Sequence, residues 1–209
     1  MLATFPSSFF YEIVTLYVVL DPVAAIPVFL AVTKGLDQRQ RLRVAAYAVL
    51  IAFAIFLFFI GIGHQLLNAL HIPMASFQLA GSLVLLIFGL QMTLGKVSEV
   101  SPTPEAGNSL VQRSVFPLAT PCIAGSGSIM TVMMLTDNVA RTSAESIQTV
   151  IVLSICLAIL FFALSCASWL SKILGRSGIE VITRVFGLIL TSIAVTNNII
   201  AIKLSFGLN

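Results

Sequence analysis

From Val44 to Gly63 the chain carries no charged side chain, and this run constrains the fold more than any other feature. A helix of about 20 residues covers the ~30 Å hydrocarbon layer of a bilayer, whereas a helix apolar all round has no place on a water-facing domain. Five more segments read the same way, which places six spans at about 8–32, 44–63, 75–95, 114–136, 147–170 and 185–202. Composition excludes the alternative. Of 209 residues, 58% are hydrophobic and 9% charged, against roughly a quarter charged in soluble domains, and mean hydropathy is +1.07. The expected fold class is therefore all-α: a polytopic membrane protein of six transmembrane helices, forming one domain over residues 1–209. Only short loops remain, so a soluble catalytic or nucleic-acid-binding module has no room. The net charge of +3 comes from loop lysines and arginines.

Two of the six segments are interrupted near their middles. One contains Asp21-Pro22-Val23-Ala24-Ala25-Ile26-Pro27, the other Thr120-Pro121-Cys122-Ile123-Ala124-Gly125-Ser126-Gly127. Proline removes a backbone donor and clashes with the preceding turn, while glycine exposes the backbone. In hydrocarbon the freed carbonyls are tolerated only where protein or a watery cavity satisfies them. Asp and Thr are favoured N-caps and Pro is favoured at the first helical position. Asp21-Pro22 and Thr120-Pro121 are thus each expected to begin a second half-helix, with Pro27 and Ser126 as the next disrupting positions. Such an end carries unsatisfied N–H groups and a partial positive charge suited to an anionic group. Gly125 and Gly127 would let a ligand approach the backbone, and Ser126 offers a hydroxyl. Asp21 is the one acidic residue well inside a predicted span; an intramembrane carboxylate points to function, although capping alone would also explain it.

A shift of 99 residues lays Asp21-Pro22 on Thr120-Pro121, and a shift of 106 lays Gly81 on Gly187 and Gln91 on Asn197. Three spans per copy is odd, so the second copy enters the membrane inverted. Repeat one covers about 8–95, a loop 96–113 follows, and repeat two covers about 114–204. In transporters of this architecture the site lies at the repeat interface near the midplane. Gln91, Thr191, Ser192, Thr196, Asn197 and Asn198 lie within spans, and the asparagine pair should face the bundle interior or a cavity. Gln91 and Asn197 are candidates to line it. Ala48/Ala52 and Ala163/Ala167 permit close helix packing.

Loop charges set the orientation. Of eleven lysines and arginines, only Arg141 and Lys203 fall on the side holding the termini. Lys34, Arg39, Arg41, Arg43, Lys96, Arg113, Lys172, Arg176 and Arg184 fall on the other. The positive-inside rule puts both termini outside, in the periplasm of a Gram-negative cell. The start, Met1-Leu2-Ala3-Thr4-Phe5-Pro6, lacks a basic n-region, so the first span is expected to be retained. Cys122, Cys156 and Cys166 sit singly inside spans without metal-ligand spacing and read as small apolar packing residues.

Several stretches resemble the MarC family of bacterial and archaeal inner-membrane proteins. They are Phe116-Pro117-Leu118-Ala119-Thr120-Pro121-Cys122-Ile123-Ala124-Gly125-Ser126-Gly127-Ser128-Ile129, Leu79-Ala80-Gly81-Ser82, and Gly178-Ile179-Glu180-Val181-Ile182-Thr183-Arg184-Val185-Phe186-Gly187. The resemblance runs nearly end to end. It implies six spans, a relation to LysE-type exporters, and transport of small neutral amino acids such as alanine or glycine. The chain departs from the family pattern at Ala24-Ala25, where many members have Gly-Asn, at Ser126, where the pattern has a second Pro, and at Thr196, where a Gln is common.

The function expected is an exporter or secondary transporter working by alternating access in the inner membrane. Its partners are the lipid bilayer and a small zwitterionic solute, with a homo-oligomer left open and no nucleic acid. The expected substrate-binding residues are Asp21, Pro22, Ala24, Ala25, Pro27, Thr120, Pro121, Gly125, Ser126, Gly127, Gln91 and Asn197. No cofactor and no metal are called for, and proton or sodium coupling is left open. A channel or scaffold without coupled transport is the alternative. An intramembrane enzyme is the rival from another class: Ser126 within Ala124-Gly125-Ser126-Gly127 superficially resembles a rhomboid-type serine, but a nucleophile needs a base. His64 and His71 flank an outer loop, and neither a His-Glu-x-x-His pattern nor paired intramembrane aspartates occur.

Overall fold

A computed structural model describes residues 5–95, 110–136 and 143–207. The 137–142 stretch, with Arg141, lies outside the described residues, as does most of the 97–112 connection. Every regular element among the described residues is helical: α1 (Phe5–Leu20), α2 (Pro22–Val32), α3 (Gln38–Phe58), a π-helical turn (Phe59–Gly63), α4 (His64–Ala69), α5 (Met74–Thr93), α6 (Leu110–Arg113), a loosely wound segment (Ser114–Ile123), α7 (Ser126–Leu135) and α8 (Ser143–Phe206). Gln38–Ala69, Met74–Thr93, Ile147–Ala167 and Glu180–Phe206 are each long and apolar enough to cross a membrane. Two bent pairs bring the number to six if each pair is one span. Phe9–Leu20 with Ala24–Val32 bends by 42°, and Ser114–Ile123 with Ser126–Leu135 bends by 57°. The first and fourth segments are the broken ones, as their prolines predict.

Large apolar side chains cover the outside. Phe10, Leu50, Ile87, Phe162 and Phe206 are exposed, the arrangement of a surface solvated by lipid. Inside, α2 is almost wholly enclosed: Ala25, Val28 and Phe29 are fully buried. Ala45, Ala48 and Ala52 form a buried stripe on α3, which lets the loosely wound segment and α8 approach closely, as small residues at four-residue spacing allow.

Helical geometry persists through all 64 residues of α8, yet its axis is not straight. Thr149 Oγ1 lies 3.4 Å from the Leu135 carbonyl, Ser126 Oγ 3.2 Å from the Gln78 carbonyl, and Ser82 Oγ 2.7 Å from Asn198 Oδ1. Following that route along α7 and α5 puts Thr149 and Asn198 within roughly 45 Å, whereas a straight helix would hold them roughly 75 Å apart. The axis therefore bends between Thr149 and Asn198, and Ile147–Ala167 and Glu180–Phe206 are separate candidate spans.

A close backbone approach joins α5 to the last part of α8. A Cβ on Gly89 would sit 2.8 Å from the Thr191 nitrogen, and one on Gly187 would sit 2.6 Å from the Thr93 nitrogen. Thr93 Oγ1 donates to the Gly89 carbonyl (2.9 Å) and Thr191 Oγ1 to the Gly187 carbonyl (2.8 Å). Two Gly-x-x-x-Thr units thus cross face to face. They correspond at an offset of 98 residues, close to the 99 that aligns the two breaks, whereas the offset of 106 lays Gly81 on Gly187; Gly81 packs against Ser126.

Candidate functional site

The first break begins where α1 ends. Asp21 takes a left-handed conformation (φ 43, ψ 69) and its side chain accepts from Ala24 N at 3.1 Å. Pro22 then occupies the first helical position, where its missing N–H costs nothing. Asp is among the few non-glycine residues that adopt this conformation, so it caps the half-helix and turns the chain at once. Pro27 does not form a second break: α2 continues through it to Val32, and the bond forfeited is the one to the Val23 carbonyl.

The second break is built differently from expectation. Phe116 (φ −122, ψ 129) and Thr120 (φ −130, ψ 129) are extended, and cis peptide bonds precede Pro117 and Pro121. Thr120 is not an N-cap: its hydroxyl donates back to the Val115 carbonyl at 3.2 Å. The half-helix restarts only at Ser126, after extended Gly125 (φ −80, ψ 165). Gly125 has little alternative, since a Cβ there would meet the Pro121 carbonyl oxygen at 2.7 Å.

Both breaks open onto one cavity of ≈ 420 Å³. Asp21 and Ala24 line it from the first break, with Pro121, Cys122, Gly125, Ser126 and Gly127 from the second, Gln78, Gly81 and Ser82 from α5, and Asn197 from α8. Asp21 and Cys122 line the same cavity from opposite breaks. Of the residues expected at the site, Pro22, Ala25, Pro27, Thr120 and Gln91 do not line this wall. Pro22, Ala25 and Pro27 are buried within the bundle, because a half-helix can turn only one face to a cavity. Gln91 lies about two and a half turns of α5 beyond Ser82, at another level of the bundle.

Sequence reasoning missed Gln78 and Ser82 as cavity-lining residues. Ser126 Oγ donates to the Gln78 carbonyl (3.2 Å), and Ser82 Oγ approaches the same carbonyl (2.8 Å) and Asn198 Oδ1 (2.7 Å). One hydroxyl proton serves one strong acceptor. With Ser82 donating to Gln78, the Asn198 amide is best turned to donate to Ser82 Oγ, an assignment that side-chain amides leave open. Among the described residues the Gln78 side-chain oxygen is buried without a hydrogen-bond partner. The signal available beforehand was Leu79-Ala80-Gly81-Ser82, whose Gly81 leaves room for Ser126. By contrast, Thr191, Ser192 and Thr196 donate to carbonyls four residues back in their own helix, which is how hydroxyls in an apolar span satisfy themselves. Asn197 and Asn198 do face inward as expected.

A second carboxylate was also missed. Glu12 on α1 is fully buried, and Thr149 Oγ1 lies 3.3 Å from its Oε2. It is away from the cavity wall. Among the described residues no group of three or more His, Cys, Asp or Glu side chains is placed to hold a metal ion.

A family model described as "MarC family integral membrane protein" matches residues 6–206. A UPF0056 membrane protein of Methanocaldococcus jannaschii is 33% identical over 183 residues, covering 87% of this chain and 89% of its own. One from Pyrococcus abyssi is 34% identical over 195 residues, covering 93% and 94%. The UPF0056 membrane protein YvbG of Bacillus subtilis is 32% identical over 191 residues, covering 87% and 88%. No solved structure matches the chain.

Proposed function

Because this chain belongs to the MarC family of integral membrane proteins, we propose that it is a secondary transporter, exporting small neutral amino acids by alternating access. The observation that carries this is the shared cavity. Two spans with interrupted backbone meet there, and irregular backbone at membrane depth is tolerated where it lines a polar void. The cavity has two chemical ends suited to a zwitterion. Asp21 offers a carboxylate to an ammonium group, and the first turn of α7 at Ser126–Ser128 offers free N–H groups to a carboxylate. The mirrored Gly-x-x-x-Thr units at an offset of 98 residues support two inverted repeats, and a close crossing of that kind is a natural fulcrum for one half to rock on the other.

A carrier fits better than an enzyme. Ser126 donates its proton to a main-chain carbonyl and has no base beside it among the described hydrogen bonds. The test is flux into proteoliposomes with alanine, glycine, serine and larger neutral amino acids, with and without a pH gradient. Saturable uptake of the small solutes is expected; well-folded protein that moves none of them sinks the transport reading and leaves a channel or scaffold.

The orientation proposed places both termini outside the inner membrane. Arg184 lies against Gly95 at the end of α5, so the two belong to one side of the bundle, as the charge count requires. Single cysteines placed between 35 and 43 are expected to resist a membrane-impermeant maleimide in intact cells. Labelling there from outside would reverse the topology.

A further inference from the structure

We propose that the cavity is a site for a monovalent cationic group, an ammonium above all, held by Asp21 and a shell of hydroxyl lone pairs. This rests on the transporter reading for its use in transport, but not for its chemistry.

A hydroxyl carries one proton and two lone pairs. In the cavity wall those protons are already committed. Ser126 donates to the Gln78 carbonyl, Ser128 to the Ile123 or Gly125 carbonyl at 2.9 Å, and Thr131 to the Gly127 carbonyl at 2.9 Å. What these side chains have left to present is acceptor oxygen. Asp21 adds the only charged side chain among the described lining residues, and its cap on Ala24 N engages Oδ1 alone.

Capping does not need the charge, since Asn caps a helix as well as Asp. A carboxylate within an apolar span is costly unless paired, and among the described residues no lysine or arginine lines this cavity. A bound cation supplies the missing partner. The ammonium of the solute and an inorganic coupling cation share this chemistry, and the experiment separates them.

Cys122 lines the same cavity as Asp21 and makes a native reporter. In Cys166→Ser protein, which removes the exposed thiol, the Cys122 thiolate displaces sulfinate from aminoethyl or sulfonatoethyl methanethiosulfonate. The ratio of the two rates cancels the thiolate fraction and reads the local potential. It is expected to favour the cationic reagent by roughly tenfold or more, and to fall toward the ratio for a free thiol in Asp21→Asn. Met134→Cys, exposed at the cavity wall, provides a second reporter in the Cys122→Ser background. Protection by ethylamine and alanine but not by propionate assigns the site to the solute ammonium. Protection by sodium ions, with N-methylglucamine as the replacement cation, assigns it to an inorganic ion.

A ratio near that of a free thiol, a ratio unmoved by Asp21→Asn, equal protection by propionate, or no reaction at either reporter overturns the proposal. Selective labelling without amino-acid flux would leave the cation site standing and remove the transporter. Flux with unselective labelling would do the reverse.

Discussion

Gly187→Leu, and separately Gly89→Leu, is expected to prevent the bundle from assembling, giving aggregated or degraded protein. A Cβ at either position lies under 3 Å from backbone nitrogen on the facing helix. Backbone yields far less than a side-chain tip, so the cost should reach or exceed the upper end of the 1–3 kcal/mol typical of overpacking. Even alanine should lower the unfolding temperature in detergent clearly. Trimming Thr191 to alanine should not rescue Gly89→Ala, because the Thr191 nitrogen remains in the way. Gly81 makes the informative contrast. Its Cβ would meet the Ser126 side chain, so Ser126→Gly should restore much of the stability lost in Gly81→Ala. Gly61→Ala, with nothing within 4 Å of the added Cβ, should stay within about 0.5 kcal/mol of the parent. Unfolding temperatures across this series test the crossing, and a Gly187→Leu protein as stable as the parent removes it.

Asp21 carries the second large effect, and three substitutions separate its roles. Asp21→Asn keeps an oxygen to cap Ala24 and tolerates the left-handed backbone, so stability should change by under about 0.5 kcal/mol. Flux should nevertheless fall by roughly tenfold or more, since the charge is gone. Asp21→Ala loses the cap, at about 0.5–2 kcal/mol, and with it the local hydrogen bond that offsets the strain of a Cβ in left-handed geometry. Asp21→Gly sheds that strain and, as a cap, costs only a few tenths; it should fold and fail to transport. Thermal unfolding and proteoliposome flux, measured on the same preparations, distinguish the cases. Parent-like flux in Asp21→Asn would reduce this residue to a helix cap.

Legibility from sequence followed the range of the interaction. Asp21-Pro22 was readable as a helix start because a cap and a proline at the first position act within one turn. Thr120-Pro121 carried the same local signal and misled. Extended Phe116, Thr120 and Gly125 postpone the restart to Ser126. Glu12 sits only three residues inside Phe9, where an acid near a span end ordinarily reaches the surface. It is buried against Thr149, distant in sequence. Ser82 and Asn198 meet across 116 positions, and nothing local to either foretells the other.

Residence in a bilayer, an all-helical fold, six apolar segments and the two places where the backbone must break were all inherent in residue order. Hydrocarbon length, proline and the absence of charge act locally and leave few solutions. Assembly settled the rest: which half-helix ends share a cavity, that Gln78 and Ser82 complete its wall, that Gln91 does not, and that Gly89 meets Gly187. Those outcomes depend on helices packing at close quarters, where a difference of one ångström in backbone separation selects one register and forbids the others.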